Sequence, residues 1–380
     1  MLDSPREDAD TGRAGALLFE LPRRQLVAHQ PEEVPCVLDA VDKALEAGHH
    51  VAGLLAYEAG YALDATLPDP PPLDGPLAWF GVYDAPVSIA VETALADLAA
   101  PLVEDAAWSV DVDDYRARIR TIQDWIRAGD VYQINLTAPL RFTFEGDPLA
   151  LYAALRRAQP ASYGAFLSLG GRSIASASPE LFVRIDREGD TRKATTRPMK
   201  GTAPRGRTAT EDVAQTRALQ EREKDRAENL MIVDLLRNDL ARVSVPGSVV
   251  VPSLFDAEHY PTVVQMTSTV RSTVRDDASL GDVLRALFPC GSVTGAPKHR
   301  AMQRIRELEP EARGVYCGAI GYAAPDGTAA FSVAIRTAVV AEGVGRYDVG
   351  SGVVWDSRAD DEYAECLLKA RILTDLSPSR

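Results

Sequence analysis

The alternation of apolar and polar residues along the chain predicts many β-strands. Short apolar runs alternate with polar positions from residue 51 onward, and several of them follow one another with no helical segment between. Consecutive strands joined by short connections are typical of antiparallel sheet. Strands are predicted over 51–57, 79–83, 131–140, 163–169, 173–177, 181–185, 248–254, 262–271, 318–323, 329–340 and 347–354.

Longer segments with a 3.6-residue period predict helices between these strands. Asp113 and Asp114 are placed to cap a helix whose apolar positions share one face and which ends at Gly129. Further helices are predicted over 224–242, 280–288, 298–308 and 357–373, with another before residue 224. The pattern therefore predicts an α+β fold, with large antiparallel sheets and helices on their outer faces.

The same pattern divides the chain into three parts. Residues 1–15 are polar and lack periodicity, which predicts a disordered tail. A short N-terminal region over 16–108 is expected to pack on the core, and a main domain is expected over 109–376.

Composition narrows the class of function. The chain has 380 residues, of which 46% are hydrophobic, and a net charge of −14, which disfavours binding to nucleic acid or to anionic membranes. There is no run of about eighteen apolar residues and no secretion signal at the start, so a cytoplasmic location is expected. The four cysteines are scattered, which argues against zinc, disulfides or a redox pair. A small-molecule substrate is favoured.

Lys200 stands in the turn RPMKGT (197–202), between residues that restrict the backbone. Proline fixes its own φ and glycine permits a bend that other residues resist, so the lysine is aimed in one direction. A lysine amine is a nucleophile only when it is uncharged, which desolvation or a nearby cation favours. The turn by itself fits either a solvated loop lysine or a nucleophile.

Two acidic pairs are spaced three residues apart on predicted helices, Asp225 with Glu228 and Glu362 with Glu365. This spacing puts each pair on one helix face. Charged faces are usually solvated. However, Glu228 precedes an apolar stripe and Glu365 is followed by Cys366, which favours an interior position for one acid of each pair. A set of oxygen ligands suits Mg²⁺.

Seven motifs between residues 115 and 370 together resemble the chorismate-utilising enzymes, the family of anthranilate synthase component I, isochorismate and salicylate synthases and aminodeoxychorismate synthase component I. Each motif alone is weak, whereas the set is specific. The resemblance implies two large, mainly antiparallel sheets packed as a core with outer helices, a chorismate-binding domain over 109–376, and Mg²⁺ as cofactor. The motifs are GDVYQIN (129–135), SPE (178–180), KGT (200–202), ENLMIVDL with RND (228–239), GSVTGAPK (291–298), AIRT (334–337) and GSG (350–352).

The resemblance also implies roles for single residues. Glu228 and Glu365 correspond to direct Mg²⁺ ligands, and Asp225 and Glu362 to residues that hold metal-bound water. Arg336, expected on a strand, resembles the guanidinium fork that receives the enolpyruvyl carboxylate. The other residues implied in substrate binding are Gln133, Gly201, Thr202, Ser292, Tyr322, Gly350, Gly352 and Lys369. For Lys369, an exposed position favoured by the helix dipole is the alternative.

Glu180 and Lys200 are the implied catalytic residues. Glu180 resembles the general acid that protonates the departing hydroxyl at ring carbon four. Isochorismate-type enzymes have a lysine base where this chain has Gln133, and glutamine is not a base near neutral pH. Anthranilate synthases have a small residue at the position of Lys200. The resemblance therefore implies that Lys200 attacks carbon two and that ammonia then displaces it, giving 4-amino-4-deoxychorismate for 4-aminobenzoate and folate synthesis.

The proposed amination needs a source of ammonia, and other activities of the same family are alternatives to it. No cysteine lies in a Gly-x-Cys-x-Gly elbow, so a separate glutamine amidotransferase is the expected partner. Gln265 stands where many relatives have a histidine, which suits a reaction without pyruvate release. The close alternative is an anthranilate synthase component I-like lyase or a secondary-metabolism chorismate aminase acting at carbon two. A third possibility is a catalytically silent chorismate-binding scaffold.

Overall fold

The computed structural model describes residues 1–4, 15–96, 98–260 and 263–377. The helices within these ranges are α1 (Glu33–Glu46), α2 (Ala59–Ala62), α3 (Val91–Ala94), α4 (Val112–Arg127), α5 (Pro148–Ala158), α6 (Ala209–Glu221), α7 (Glu223–Ala241), α8 (Leu280–Leu287), α9 (Lys298–Leu308) and α10 (Ala359–Thr374), with a 3₁₀ turn at Gly291–Val293. The strands are β1 (Leu2–Ser4), β2 (Gly15–Leu18), β3 (Arg24–Ala28), β4 (His50–Leu55), β5 (Ala78–Tyr83), β6 (Val87–Ile89), β7 (Leu102–Trp108), β8 (Gln133–Glu145), β9 (Tyr163–Ser168), β10 (Arg172–Ser178), β11 (Leu181–Glu188), β12 (Thr191–Arg197), β13 (Met199–Pro204), β14 (Val250–His259), β15 (Val263–Val274), β16 (Gly295–Ala296), β17 (Ala319–Ala323), β18 (Ala329–Val333), β19 (Thr337–Ala341) and β20 (Val344–Val353).

The strands form two ten-stranded sheets in which the described pairs are antiparallel. The first sheet has the order β16-β8-β20-β19-β10-β9-β1-β2-β6, with β7 beside β8. The second has the order β13-β15-β12-β11-β18-β17-β4-β5-β3, with β14 beside β15. The predicted α+β fold with two large antiparallel sheets is confirmed.

The N-terminal part of the chain is built into both sheets. The prediction of a disordered tail over 1–15 is wrong for residues 2–4 and for Gly15, because β1 pairs with β2 and β9 and β2 begins at Gly15. The Met1 ammonium also donates to the Phe166 carbonyl at 2.8 Å. The rest of the predicted tail, residues 5–14, lies outside the described residues. Since β4 pairs with β17 and β7 with β8, a boundary at residue 108 separates strands that share hydrogen bonds.

Helices α4, α7 and α10 lie close to the strands that carry the sequence motifs. Asp111 caps α4 in place of the predicted Asp113 and Asp114, because its carboxylate accepts from both of their N–H groups. On α10 the buried stripe of Cys366, Ala370 and Leu373 also includes Glu362. The periodicity that buries apolar residues therefore carries an acid into the interior as well. Within the described part of the chain, none of the helices combines the length and apolar character needed to cross a bilayer.

Strand β8 is buried on both faces over residues 133–140. Successive side chains of a strand point to opposite faces, so Ile134 and Leu136 share one face while Gln133, Asn135 and Thr137 share the other. A buried polar face is unfavourable unless its groups find partners. The sequence of β8 thus commits one side of the strand to polar contacts in the interior.

The segment predicted as a single strand over 329–340 is divided between the two sheets. β18 belongs to the second sheet and β19 to the first, so the chain leaves one sheet and enters the other at 334–336. Arg336 has φ of 53° in this crossing, a left-handed conformation that ends the strand geometry. The prediction that Arg336 lies on a strand is therefore wrong. The apolar alternation continues through the crossing, which is why the pattern did not reveal it.

A buried ion pair connects these parts. The Arg313 guanidinium donates to Glu309 at 2.7 and 2.8 Å, to the Val293 carbonyl at 2.8 Å and to the Asn135 carbonyl at 2.6 Å. Glu309 in turn accepts from the N–H of Thr137 at 2.9 Å. Both side chains of the pair are more than nine-tenths buried. The pair therefore holds β8 against the 3₁₀ turn at Gly291–Val293.

Replacing Arg313 by methionine is expected to destabilise the fold by about 3–5 kcal/mol, because it leaves the Glu309 carboxylate buried without its partner. Urea unfolding of the wild type and the variant measures the difference. Arg141→Met breaks a half-exposed pair with Glu311 and serves as the control, with an expected loss below about 1 kcal/mol. Equal losses in the two variants would contradict this role for Arg313.

Candidate active site

Two of the crossings between the sheets lie side by side. Residues 179 and 180 connect β10 to β11, and residues 334–336 connect β18 to β19. The Ser178 hydroxyl donates to the Val333 carbonyl at 2.6 Å, and the Val333 N–H donates to the Glu180 carbonyl at 3.1 Å. Glu180 and Arg336 are therefore both held at the junction of the sheets.

Lys200 extends from the second sheet to the first. It lies on β13, and its Nζ is 3.0 Å from the position that a Cβ on Gly352 would take. The Nε2 of Gln133 is 2.5 Å from the same point. Gly352 and Gln133 belong to the adjacent strands β20 and β8 of the first sheet. Glycine at 352 thus leaves the space in which the Lys200 amine and the Gln133 amide meet.

Residues 197–202, predicted as a turn, form the end of β12 and the start of β13, with a register shift between Met199 and Thr202. This segment, called the Lys200 turn below, also contacts helix α7. Gly201 has φ of 87°, which favours glycine, and a Cβ there would be 3.0 Å from the Cβ of Asp225. Thr202 pairs with Gln265 of β15, so the residue at the position of the family histidine faces the end of this turn. The turn is therefore fixed on one side by a helix that carries acids and on the other by a strand.

Glu180 is buried, and burial raises the pKa of its carboxyl to about 7. The Ser292 hydroxyl, the Lys200 ammonium and the Met199 N–H act against this shift, in that order, but do not cancel it. One carboxyl oxygen, Oε1, is buried and makes no hydrogen bond within the described ranges. A carboxyl in this state carries a proton for much of the time at neutral pH, which a general acid requires.

Gln133 is fully buried, and neither atom of its side-chain amide has a hydrogen-bond partner among the described residues. An unpaired buried amide is unfavourable, so its presence indicates a polar group that binds beside it. Ser292 is also buried, in the 3₁₀ turn, where its hydroxyl lies 3.2 Å from the Cys290 thiol. The Ser292 hydroxyl also acts on the Glu180 carboxyl, and the Gln133 amide lies beside the Lys200 amine, so these buried polar groups are near Lys200.

The four predicted metal-site acids lie on two helices, Asp225 and Glu228 on α7 and Glu362 and Glu365 on α10. Burial raises the pKa of Glu228 to about 7, against the opposing effect of the Lys200 and Lys224 ammonium groups. Glu362 and Asp225 add to that rise, which shows that acids of both helices share one electrostatic environment. The Glu362 carboxylate also accepts from the Ser357 hydroxyl at 2.7 Å.

These acids fit a Mg²⁺ ion that is partly bound by substrate and water. Within the described residues, no three histidine, cysteine or acidic side chains are already clustered as metal ligands. Mg²⁺ does not need such a cluster, because it commonly takes one or two protein carboxylates and keeps several waters. The donor set is composed of carboxylates, and burial raises the pKa of Glu228, an unfavourable effect on its charged form that a bound cation would offset.

Lys369 does not occupy the exposed last-turn position that was the alternative to a role in substrate binding. Its ammonium donates to the Gly350 carbonyl at 2.7 Å and pairs with Glu365 at 2.6 Å. Burial acts to raise the pKa of Glu365, but Lys369, together with Lys200 and Lys224, brings that pKa below the ordinary value. Lys369 thus joins α10 to the glycine strand β20, and it lies within the helix rather than in its last turn.

Arg336 is half-buried at the sheet crossing. Its Nη1 donates to the Gln159 side-chain oxygen at 3.0 Å, and its carbonyl accepts from the Ala177 N–H at 3.0 Å. Burial raises the pKa of the Tyr347 phenol to about 12, and the Arg336 guanidinium acts against that shift. The crossing therefore presents this guanidinium from a fixed backbone.

The structure does not bring Tyr322 to the Lys200 site. Four strands lie between β17, which carries Tyr322, and β13, and the Tyr322 ring packs near Phe19 with 6.0 Å between centroids. Tyr316 is the tyrosine that approaches the site, since its hydroxyl is 2.9 Å from where a Cβ on Gly350 would lie. Tyr316 was not among the residues predicted from the sequence. A glycine at position 350 indicates that another group comes close to the backbone there, but the sequence does not indicate which residue supplies that group.

Glu180→Gln is expected to stabilise the protein at high pH. The folded-state pKa of Glu180 is raised from 4.5 to about 7, so its contribution to stability is complete below pH 4.5 and is lost as the pH rises through 7. Glutamine removes that loss, which amounts to about 3 kcal/mol at pH 8. Urea unfolding at pH 5 and pH 8 measures it. Glu46→Gln, at an exposed position on α1, is the control, and a wild type as stable as the variant at pH 8 would refute the expectation.

Comparison with known proteins gives a consistent result. Residues 8–375 match the model of the chorismate binding enzyme family. An aminodeoxychorismate synthase of Streptomyces griseus is 47% identical over 274 residues, which cover 71% of this chain and 38% of the relative. Aminodeoxychorismate synthase component 1 of Salmonella typhimurium is 43% identical over 274 residues, 71% of this chain and 60% of the relative. The chain thus spans less than two thirds of the length of these relatives.

Structural comparison agrees. The crystal structure of anthranilate synthase component I from Streptococcus pneumoniae has a TM-score of 0.79 and 28% identity to this chain, and covers 94% of this chain and 91% of that one. The family match extends over nearly the whole chain and includes both sheets and both acid-bearing helices. This protein belongs to the chorismate binding enzyme family.

Proposed function

We propose that this chain aminates chorismate to 4-amino-4-deoxychorismate through a transient bond between Lys200 and the ring. The observation that carries the proposal is the meeting of the Lys200 amine and the Gln133 amide over Gly352, close enough to Glu180 and Glu228 to affect the pKa values of both acids. The similarity to relatives named aminodeoxychorismate synthase supports the same reaction.

In the first displacement, Lys200 is the nucleophile and Glu180 is the general acid. The uncharged amine forms a bond to ring carbon two, the two ring double bonds shift, and the bond between carbon four and its hydroxyl breaks. The hydroxyl leaves as water with the proton that the buried Glu180 carboxyl holds. In the second displacement ammonia bonds to carbon four, the double bonds shift back, and the bond to Lys200 breaks.

Binding groups surround these two residues. Arg336 is proposed to receive the enolpyruvyl carboxylate as a bidentate fork, and the unpaired Gln133 amide to bind a polar group beside the amine. Gly201, Thr202, Ser292, Gly350 and Gly352 let the main chain and hydroxyl groups approach the ring. Glu228 and Glu365 are proposed to hold Mg²⁺, with Asp225 and Glu362 binding its waters and Lys369 nearby. The ion supplies positive charge for the ring carboxylate.

Ammonia is proposed to come from a glutamine amidotransferase partner. The Salmonella relative is named component 1, which supports an enzyme of more than one component. None of the four cysteines has the setting of a glutaminase nucleophile, and three of them are buried. Burial raises the pKa of the Cys290 and Cys317 thiols to about 12, which removes their nucleophilic form at neutral pH.

An anthranilate synthase-like lyase is the second candidate, since a solved structure of that name shares the fold and 28% identity. That reaction needs ammonia at carbon two, which is where the Lys200 amine would bond. Lys200 therefore favours amination at carbon four. Anthranilate is fluorescent, so its appearance from chorismate, Mg²⁺ and ammonium without another enzyme would establish the second candidate instead.

Mass spectrometry of the product tests the proposal. Wild-type protein with chorismate, Mg²⁺ and ammonium is expected to yield the amino-deoxy compound with the pyruvyl ether retained. Lys200→Ala is expected to lower the rate at least about 100-fold, because it removes the nucleophile. Lys193→Ala removes a half-buried lysine on β12 that bonds to Thr273, and is the matched control. A Lys200→Ala variant as fast as the wild type would exclude the covalent route.

Gly352→Ala is expected to fold and to lose most of its activity. The added methyl group would lie 2.5 Å from the Gln133 Nε2 and 3.0 Å from the Lys200 Nζ, so both flexible ends must move away. Displacing a reacting atom by about 1 Å costs on the order of 100-fold in rate. The measurement is kcat/KM for chorismate, with thermal unfolding to confirm the fold. Unchanged kcat/KM would show that the amine does not react from this position.

A further inference from the structure

Ser268 lies where helix α7, strand β14 and the Lys200 turn meet. Its hydroxyl donates to the Asn229 side-chain oxygen at 2.5 Å and accepts from the Phe255 N–H at 3.0 Å. Its own N–H donates to the Pro198 carbonyl at 3.3 Å. One small residue of β15 thus makes hydrogen bonds to three separate segments of the chain.

These hydrogen bonds connect the segment that carries Lys200 to the helix that carries Glu228. Pro198 precedes Lys200 by two residues, while Asn229 follows Glu228 directly on α7. On the other side of Lys200, Gly201 lies against Asp225 of the same helix. The lysine is therefore held between two contacts with α7, a direct one at Gly201 and an indirect one through Ser268.

The Ser268 contact is fully enclosed. Ser268 and Asn229 are both completely buried, so water does not compete for their hydrogen bond. A buried hydroxyl with both a donor and an acceptor role fixes its neighbours more strongly than an exposed one. The Phe255 side of the contact is also rigid, because the Arg226 guanidinium of α7 lies 4.7 Å from the centre of the Phe255 ring.

We propose that Ser268 is a positioning residue for Lys200, setting the distance between the amine and the acids of α7. It acts through the Asn229 side chain and the Pro198 carbonyl and does not touch the substrate. The inference rests on the proposed function, because a positioning role has meaning only if the Lys200 amine reacts.

The test separates positioning from general stability. Ser268→Ala is expected to lower kcat by about 10-fold or more, because a small displacement of a reacting group is costly, and to change KM for chorismate by less than about 3-fold. Asn229→Ala breaks the same bond from the other side and is expected to match it. The double variant is expected to be no slower than either single variant, since both remove one interaction.

Ser272→Ala is the matched control. Ser272 is a buried serine on the same strand, four residues further on, and its hydroxyl accepts from Ser244 at 2.7 Å, away from the Lys200 turn. This variant is expected to keep the wild-type kcat while losing comparable thermal stability.

The outcomes are distinct. A wild-type kcat in Ser268→Ala, an equal loss in Ser272→Ala, or a multiplied loss in the double variant would each overturn the positioning role. If Ser268→Ala does not fold, Asn229→Ala decides by the same criterion.

If the wild type makes no amino-deoxy product, or Lys200→Ala makes it at the wild-type rate, the proposed function fails. A Lys200-dependent wild type with an unaffected Ser268→Ala refutes the positioning role alone.

Discussion

The buried ion pair between Arg313 and Glu309 is the constraint on which the arrangement of the site depends. A single guanidinium holds the carbonyls of Asn135 and Val293, and its partner carboxylate holds the N–H of Thr137. The network therefore holds β8 through backbone groups of Asn135 and Thr137. The Gln133 side chain lies at the end of the same face, with no hydrogen-bond partner among the described residues, and beside Lys200. The register of one strand thus supplies both a structural anchor and a binding group.

The site itself is an arrangement of opposite charges at the meeting of two sheets. Lys200 approaches from the second sheet, Glu180 lies in a crossing, and the acids of α7 and α10 close the space. Burial raises the pKa of Glu180 and of Glu228 to about 7, although Lys200 opposes both shifts. The fold therefore places a carboxyl that holds its proton for much of the time at neutral pH beside the Lys200 side chain. That pairing is what a displacement with a poor leaving group requires.

Much of this was predictable from the sequence, and the failures have identifiable causes. Periodicity predicted the fold class and most helices because burial follows the same spacing that the pattern records. It failed at Arg336, because the apolar alternation continues while the chain changes sheets. It also failed at residues 2–4, because a short strand is stabilised by its neighbours β2 and β9 rather than by its own composition. The pairing partner of a strand is a property of the whole fold.

Candidate residues were predicted with similar limits. Motifs in the sequence singled out four residues of the site, Lys200, Glu180, Gln133 and Gly352. Their spacing along the chain does not indicate that Lys200 and Gln133 meet at Gly352. Tyr322 was chosen where Tyr316 approaches the site, since each tyrosine closely follows a glycine in the sequence, which does not show that Tyr322 lies on β17 and Tyr316 before that strand. Ser268 was not singled out from the sequence. Its proposed role rests on hydrogen bonds to Asn229 and Phe255, which are 39 and 13 residues away in the sequence.

The proposed reaction requires a bond between the Lys200 amine and the ring during turnover. Intact-protein mass spectrometry with peptide mapping, on enzyme quenched during reaction with chorismate and Mg²⁺ in the absence of ammonia, detects such a bond. We expect a species heavier by chorismate less one water, with the added mass on the peptide that contains Lys200. Enzyme that makes the amino-deoxy product once ammonium is added, yet never carries that mass at any quench time, would contradict it.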